Sequence, residues 1–306
     1  MDLPKVLIQL DSDLQPSSFD AIVALDAGVD HLLSYREVDE LSILELIHGA
    51  MFTRGPKQLQ RTAIFIGGSD VALGERLLKK VVETFFGPLR VSVMLDSNGS
   101  NTTAAAAVLS ALPHRQLSAD VNVSVLGGTG AVGRRIAQLC ALQGAAVQMV
   151  SRDQDRARKV IGHLSEDVSK RIRAVEAQTP EQLESVLAQT DVLFSAGAAG
   201  VEMLSEAIVQ NLTCVSVIVD VNAIPPLGIG GVKVDDQGAV RGGKTFYGAF
   251  GVGGLKMKIH RRAIQSLFET NKAVLDACQI FSIGELISAT EKEAASTKMA
   301  KLPPTP

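Results

Sequence analysis

The stretch from Val121 to Gly133, Val-Asn-Val-Ser-Val-Leu-Gly-Gly-Thr-Gly-Ala-Val-Gly, constrains the fold of this 306-residue chain more than any other. Val121, Val123 and Val125 alternate with small polar residues and run into Leu126, which is the pattern of a buried strand, and glycines begin where that strand must stop. Gly128, Gly130 and Gly133 fall in the spacing G-x-G-x-x-G. In that spacing one glycine permits a tight turn, one lets a pyrophosphate approach the backbone, and one lets the following helix pack closely on the strand. The helix expected over 131–142 carries Val132, Ile136, Leu139 and Cys140 on its apolar face, so its N-terminus turns free N–H groups toward the phosphates. With Thr129 inside the loop and Val132 in the first turn, the stretch is a candidate dinucleotide site.

A second strand is expected over 146–150, and an NAD site of this kind places an acidic residue at its end, roughly 20 residues on, to hold the ribose 2′-hydroxyl. Here Ser151 and Arg152 stand at that point, 23 residues beyond Gly128 in the case of Ser151. A hydroxyl and a guanidinium suit a 2′-phosphate, which an aspartate would repel, so the expected cofactor is NADP. Asp153, one position later, leaves a ribose contact open.

Length predicts about two domains. A net charge of −3 leaves no electrostatic footprint for nucleic acid, and there is no Lys/Arg cluster suited to an acidic membrane surface. Cys140, Cys214 and Cys278 are far apart and set among apolar residues, which reads as buried free thiols in a reducing compartment, with no zinc-type spacing. No apolar run approaches the roughly 20 residues that span a bilayer. The N-terminal apolar stretch is too short for a signal peptide. The expected setting is cytoplasmic, with a small-molecule partner.

Along the chain, strands are expected over 5–10 and 21–25, with Asp11, Asp13, Asp26 and His31 beyond their ends. A helix over 41–50, a strand over 62–67 and an amphipathic helix over 71–86 follow. The strand over 91–95 exits through Asp96, Asn98, Ser100, Asn101, Thr102 and Thr103 into a helix over 104–112, an order that suits a polar ligand. After a connection over 113–120, strands at 171–177, 191–196 and 215–220 alternate with helices at 156–164 and 181–188, as a doubly wound parallel sheet requires. Ala196 and Gly197 close the fourth strand and Asn222 leaves the fifth, all candidate cofactor contacts. A glycine cluster over 248–254 precedes a helix over 255–268, on which Lys256 and His260 sit at i and i+4 on one face. Further helical segments end the chain, and 294–306 reads as a frayed tail.

Six segments together resemble a known family: Ser18-Phe19-Asp20, Thr53-Arg54-Gly55, Phe86-Gly87-Pro88, the run from Met94 through Thr103, the run from Pro225 to Gly231, and the run from Gly253 to Arg261. The chain is similar to the bacterial NADP-dependent methylene-tetrahydromethanopterin dehydrogenases, whose relatives also act on methylene-tetrahydrofolate. That resemblance implies an α/β protein in which a Rossmann domain, 118–254, is inserted into a pterin-binding domain built from 1–117 and the C-terminal helices 255–293. It also implies a homo-oligomer, usually a trimer. The implied reaction is hydride transfer from the methylene carbon of the pterin to NADP, giving a methenyl cation in a route that oxidises formaldehyde.

Losing a hydride from a carbon between two nitrogens requires no base, so the implied demands are positioning and negative charge near the developing cation. Asp20 and one of the strand-end aspartates are the expected sources of that charge, Phe19 packs on the pterin, and Asn98, Ser100, Asn101 and Thr102 offer hydrogen bonds to it. Lys256 and His260 complete the expected catalytic set. The alternatives are the folate counterpart of the same reaction and a dinucleotide-binding sensor without turnover.

Overall fold

In the computed structural model, which describes residues 3–300 and side chains as far as 293, two largely parallel sheets pack through a buried helix between them. The first half of the chain supplies β1 (Val6–Leu10), α1 (Ser18–Asp26), β2 (His31–Tyr35), α2 (Ile43–Phe52), β3 (Thr62–Ile66), α3 (Val71–Thr84), β4 (Ser92–Leu95) and α4 (Ser100–Ala111). The second unit runs through β5 (Asn122–Leu126), α5 (Ala131–Leu142), β6 (Ala146–Ser151), α6 (Gln154–Gly162), α7 (Glu166–Ser169), β7 (Ile172–Glu176) and α8 (Pro180–Leu187). It continues with β8 (Val192–Ser195), α9 (Glu206–Asn211), β9 (Val217–Asp220), β10 (Gln237–Arg241) and β11 (Lys244–Tyr247). The chain then returns as α10 (Ala249–Ser266), β12 (Val274–Leu275) and α11 (Ala277–Ala300).

The first sheet has the order β12-β4-β3-β1-β2, so the returning segment adds an edge strand to it. The second has the order β10-β11-β9-β8-β5-β6-β7, parallel except for the terminal β10–β11 pair. Counting β5 as the first strand, its six parallel strands follow the 3-2-1-4-5-6 winding of a Rossmann sheet, which reverses between β5 and β8. Ligands of such sheets sit beyond the strand ends at that reversal.

Strands covered on both faces read as continuous apolar runs, and β3, Thr-Ala-Ile-Phe-Ile, is buried throughout. Ala104 to Ala107 of α4 are fully buried because α5, α10 and α11 all pack against that helix, and small side chains let the backbones approach. Among the described residues no helix is long and apolar enough to cross a membrane.

Several expectations are corrected. Residues 21–25 belong to helix α1, not a strand: a short apolar run has no diagnostic period, and the Ser17 hydroxyl, accepting the Asp20 N–H at 3.2 Å, starts a helix before it. Helix α4 begins at Ser100, and α10 begins at Ala249, so Gly248 is its N-cap and the rest of the glycine cluster lies inside it. Gly251 is there for close packing, since a Cβ would lie 1.9 Å from the Asp236 carbonyl oxygen. The tail expected from residue 294 is helical as far as Ala300, and 301–306 lies outside the described residues. Of the cysteines only Cys140 is buried; Cys214 is exposed and Cys278 intermediate.

Candidate active site

A cleft of about 1110 Å³ opens at the sheet reversal, between the ends of β5, β6, β8 and β9 and the loop after β4. Thr129, Gly130 and Val132 line its floor, Ser151 and Arg152 one end, and Ala196, Gly197 and Asn222 the facing side. Gly128 and Gly133 lie beneath rather than on the wall. A Cβ on Gly128 would meet Met149 Cγ at 2.6 Å, and one on Gly133 would meet the Gly127 carbonyl oxygen at 2.4 Å. Gly133→Val is therefore expected to push α5 off β5, abolish dinucleotide binding by calorimetry and lower the melting temperature; wild-type affinity in that variant would remove the loop from the site.

Three features of this half were not foreseen. Gly127 makes the tight turn, at φ +68°, and a Cβ there would lie 2.6 Å from Gly197 Cα, so the two loops touch backbone to backbone. Arg156 and Gln178 line the cleft beside Arg152. Asp153 caps α6, its Oδ1 accepting the Arg156 N–H at 3.0 Å, and also lines the cleft. Two guanidiniums and the Ser151 hydroxyl thus gather at one end of the cleft, and among the described residues neither Arg152 nor Arg156 is in an ion pair. The glycine cradle and free helix N-terminus fit the pyrophosphate of a nicotinamide dinucleotide.

The loop after β4 joins this cleft to a second group of residues. Asn98, at φ +55°, lines the cleft and donates its backbone N–H to the Gly68 carbonyl at 2.7 Å. Gly99 follows it, also at positive φ, and lies under Lys256: a Cβ there would be 2.9 Å from Nζ. The Lys256 ammonium stands 4.7 Å from the centre of the Phe19 ring. His260, one helical turn on, is fully buried and stacks on Phe65 at 5.7 Å with 20° between the rings.

Three expected ligands of the pterin turn inward. Asn101 donates to the Leu95 carbonyl (2.6 Å), and the Thr102 hydroxyl donates to Asp96 (2.6 Å). Ser100 likewise donates to the Ser97 carbonyl at 2.8 Å, and all three residues are buried. Their work is to hold the loop that presents Asn98. Asp96 is the residue they surround: it also accepts the backbone N–H groups of Asn101 (2.9 Å) and Thr102 (3.0 Å) at the start of α4. Thr103 lines the cleft.

The electrostatics separate the titratable groups. Burial pushes the Asp20 carboxyl up to about 6, opposed by the Ser17 hydroxyl and the Lys256 ammonium. Burial pushes Asp96 up to about 7, opposed by Lys256 and the Thr102 donors. His260 goes the other way, down to about 3, through burial and the nearby Lys256 charge. Its Nε2 is 4.0 Å from Asp20 Oδ1, so at neutral pH this is a contact between a carboxylate and a neutral ring. Neither ring nitrogen has a hydrogen-bond partner among the described residues, which leaves one donor and one acceptor for a ligand or water.

A Rossmann cleft, with Asp20, Asp96, Lys256 and His260 clustered behind the loop that lines it, is the arrangement of a dinucleotide-dependent dehydrogenase. Residues 18–98 match the family described as methylene-tetrahydromethanopterin dehydrogenase, N-terminal, and 122–220 match the NAD-binding domain of 3-hydroxyacyl-CoA dehydrogenase. The "Bifunctional protein MdtA" of Methylorubrum extorquens is 42% identical over 284 residues, covering 92% of this chain and 98% of that one. The NAD(P)-dependent methylenetetrahydromethanopterin dehydrogenase of the same organism is 32% identical, covering 84% and 89%. Among solved structures, the NAD-dependent malic enzyme of Thermotoga maritima shares the fold at a TM-score of 0.52 and 14% identity, covering 91% of this chain and 83% of that one. The chain belongs to the methylene-tetrahydromethanopterin dehydrogenase family.

Proposed function

We propose that this protein oxidises methylene-tetrahydromethanopterin to the methenyl cation with NADP, in the one-carbon metabolism that consumes formaldehyde. The observation that carries this is the continuity of the site: Asn98 lines the dinucleotide cleft, and its neighbour Gly99 lies under Lys256, which adjoins Phe19, Asp20 and His260. A nicotinamide dinucleotide, when bound, supplies the hydride acceptor.

The methylene C–H bond breaks with both electrons leaving on hydrogen, and the carbon is left as part of a delocalised N–C–N cation. Asp20, ionised above about pH 6, supplies negative charge to that cation. Lys256, whose charge would oppose the cation, is offset by Asp20 and Asp96 and is available for polar groups of the pterin. The exposed face of Phe19 offers an apolar surface for a flat ring, and His260, neutral and fully buried, stands 6.3 Å from that ring and beside Asp20. In this reading the half built on the first sheet, with α10 and α11, binds the pterin, and the second sheet binds the cofactor.

Ser151, Arg152 and Arg156 support a 2′-phosphate. Arg152→Asp is expected to weaken NADP binding by on the order of tenfold to a hundredfold while changing NAD little; equal losses for both cofactors would show that Arg152 does not read the phosphate. Free thiols support a cytoplasmic setting. Exposed Ile22 and Leu25 on α1, exposed Leu33 and Tyr35 on β2, and the open outer edge of that strand support a homo-oligomer, with a trimer as the expected mass in light scattering. The deciding assay follows cofactor reduction with methylene-tetrahydromethanopterin and methylene-tetrahydrofolate, each with NADP and NAD. Preference for the methanopterin with NADP is expected, and activity on the folate alone would move the protein to folate metabolism.

A further inference from the structure

We propose that Glu75 is a positioning residue that sets how far the cleft opens. Glu75 is on α3, against the first sheet, while its partners Arg134 and Arg135 are on α5, against the second. One carboxylate oxygen, Oε1, accepts from Arg134 Nη2 and from Arg135 Nη2, the latter at 2.5 Å. Arg135 is buried and also donates to Gln138 Oε1 at 3.0 Å, and Gln138 Nε2 reaches Cys278 Sγ at 4.0 Å near the start of α11. An exposed ion pair contributes little, but two largely buried guanidiniums sharing one carboxylate lose their compensation when the halves separate.

The placement gives this pair its role. Gly74, the residue before Glu75, packs on the loop that presents Asn98: a Cβ there would lie 2.2 Å from Ser97 Oγ. Arg134 directly follows Gly133 and donates its N–H to the Gly130 carbonyl at 2.9 Å, in the glycine loop itself. Glu75 therefore ties the two sides of the cleft to each other. At the other end of α4, about 18 Å away for a helix of its 12 residues, His114 Nε2 and Tyr247 Oη are 2.9 Å apart and join the two chain crossings between the halves. With the crossings joined there, a motion that parted the halves would be widest at the cleft, where Glu75 restrains it. Hydride transfer is sensitive to such motion, because misplacing the reactants by about 1 Å can cost on the order of a hundredfold in rate.

The test has one arm that needs no pterin. Amide hydrogen exchange of the Glu75→Gln protein with NADP bound is expected to be about tenfold faster than wild type in 97–103 and 127–134, with the sheet interiors unchanged. The kinetic arm rests on the function proposed above: turnover is expected to fall by on the order of tenfold to a hundredfold, with KM for NADP within about twofold. Glu75→Asp, which keeps the charge but withdraws it by one methylene, is expected to recover the exchange pattern and turnover only in part. Unchanged exchange and turnover in Glu75→Gln would overturn the proposal, as would a lower melting temperature with wild-type turnover per folded molecule. If Glu75→Gln does not fold, Arg134→Gln removes one of the two donors and is judged by the same readouts. Wild-type protein inert toward every methylene pterin would overturn the function while the exchange arm still decided the role of Glu75.

Discussion

At about pH 8, Asp20→Asn is expected to turn over the methylene pterin on the order of a hundredfold more slowly than wild type and yet to unfold at a higher temperature. Both effects come from one buried carboxyl. Its pKa in the folded protein, about 6, lies above that of an exposed aspartate, so folding favours the protonated form. The stability gained from that preference is complete below about pH 4 and is lost as pH rises through about 6, where the native protein must carry the charge in a largely buried place. A shift of this size corresponds to at most about 3 kcal/mol at alkaline pH. Asparagine has no charge to bury, so its advantage should shrink as the pH falls toward about 4. Turnover has the opposite dependence, because the developing cation needs the ionised carboxylate. In wild type, kcat should rise through an apparent pKa near 6. Calorimetric melting and a kcat–pH profile for the two proteins check this together. A wild-type profile flat from about pH 5 to 8, or an Asn variant of full turnover, would remove Asp20 from the chemistry.

The dinucleotide half was legible in the sequence because its constraints are local. Gly128, Gly130 and Gly133 stand in one turn between one strand and one helix, and each glycine answers to an atom of the same βαβ unit, such as Met149 on the next strand or the Gly127 carbonyl. Arg156 was missed although it lies close by in sequence: it reaches the cleft from the first turn of α6, while Asp153, the acidic residue that drew attention, is occupied as that helix's cap. Gly127 was missed because the fingerprint spacing starts one residue later, although Gly127 is the residue at positive φ.

The other wall was legible only as a set of residues, not as an arrangement. Asp20 comes from α1 and Lys256 and His260 from α10, more than 230 positions later, and only the return of the chain beside α4 brings them together. Within the polar run after β4, sequence offers no means of separating Asn98, which faces the cleft, from Ser100, Asn101 and Thr102, which turn inward. What separates them is backbone conformation: Asn98 and Gly99 are left-handed and turn the chain into α4, after which helical geometry aims the next side chains at Asp96 and the loop carbonyls. The motif is therefore mostly scaffold around one buried carboxyl, with two of its residues, Asn98 and Thr103, presented to the cleft.

Lys256→Met is expected to move the acid limb of the kcat–pH profile upward and to lower turnover near neutrality by on the order of tenfold or more. The Lys256 ammonium holds down the pKa of both Asp20, about 6, and Asp96, about 7, against the burial that raises them. Without it both carboxyls keep their protons to higher pH, and at pH 7 a smaller fraction of the protein has an ionised Asp20 to meet the cation. His260 responds in the opposite sense, since the same ammonium helps to hold its pKa down near 3, but burial alone keeps the ring neutral at working pH. Part of the lost turnover should therefore return on raising the pH to about 9, where Asp20 ionises again. What does not return measures the contacts of the ammonium itself, over Gly99 and against the Phe19 ring. Lys256→Arg keeps the positive charge and should keep the limb near its wild-type position, while the larger planar group meets Gly99 and lowers turnover at every pH. An unshifted limb in Lys256→Met, with turnover uniformly reduced, would show that Lys256 acts by contact with the pterin alone and that the charge of Asp20 is set without it.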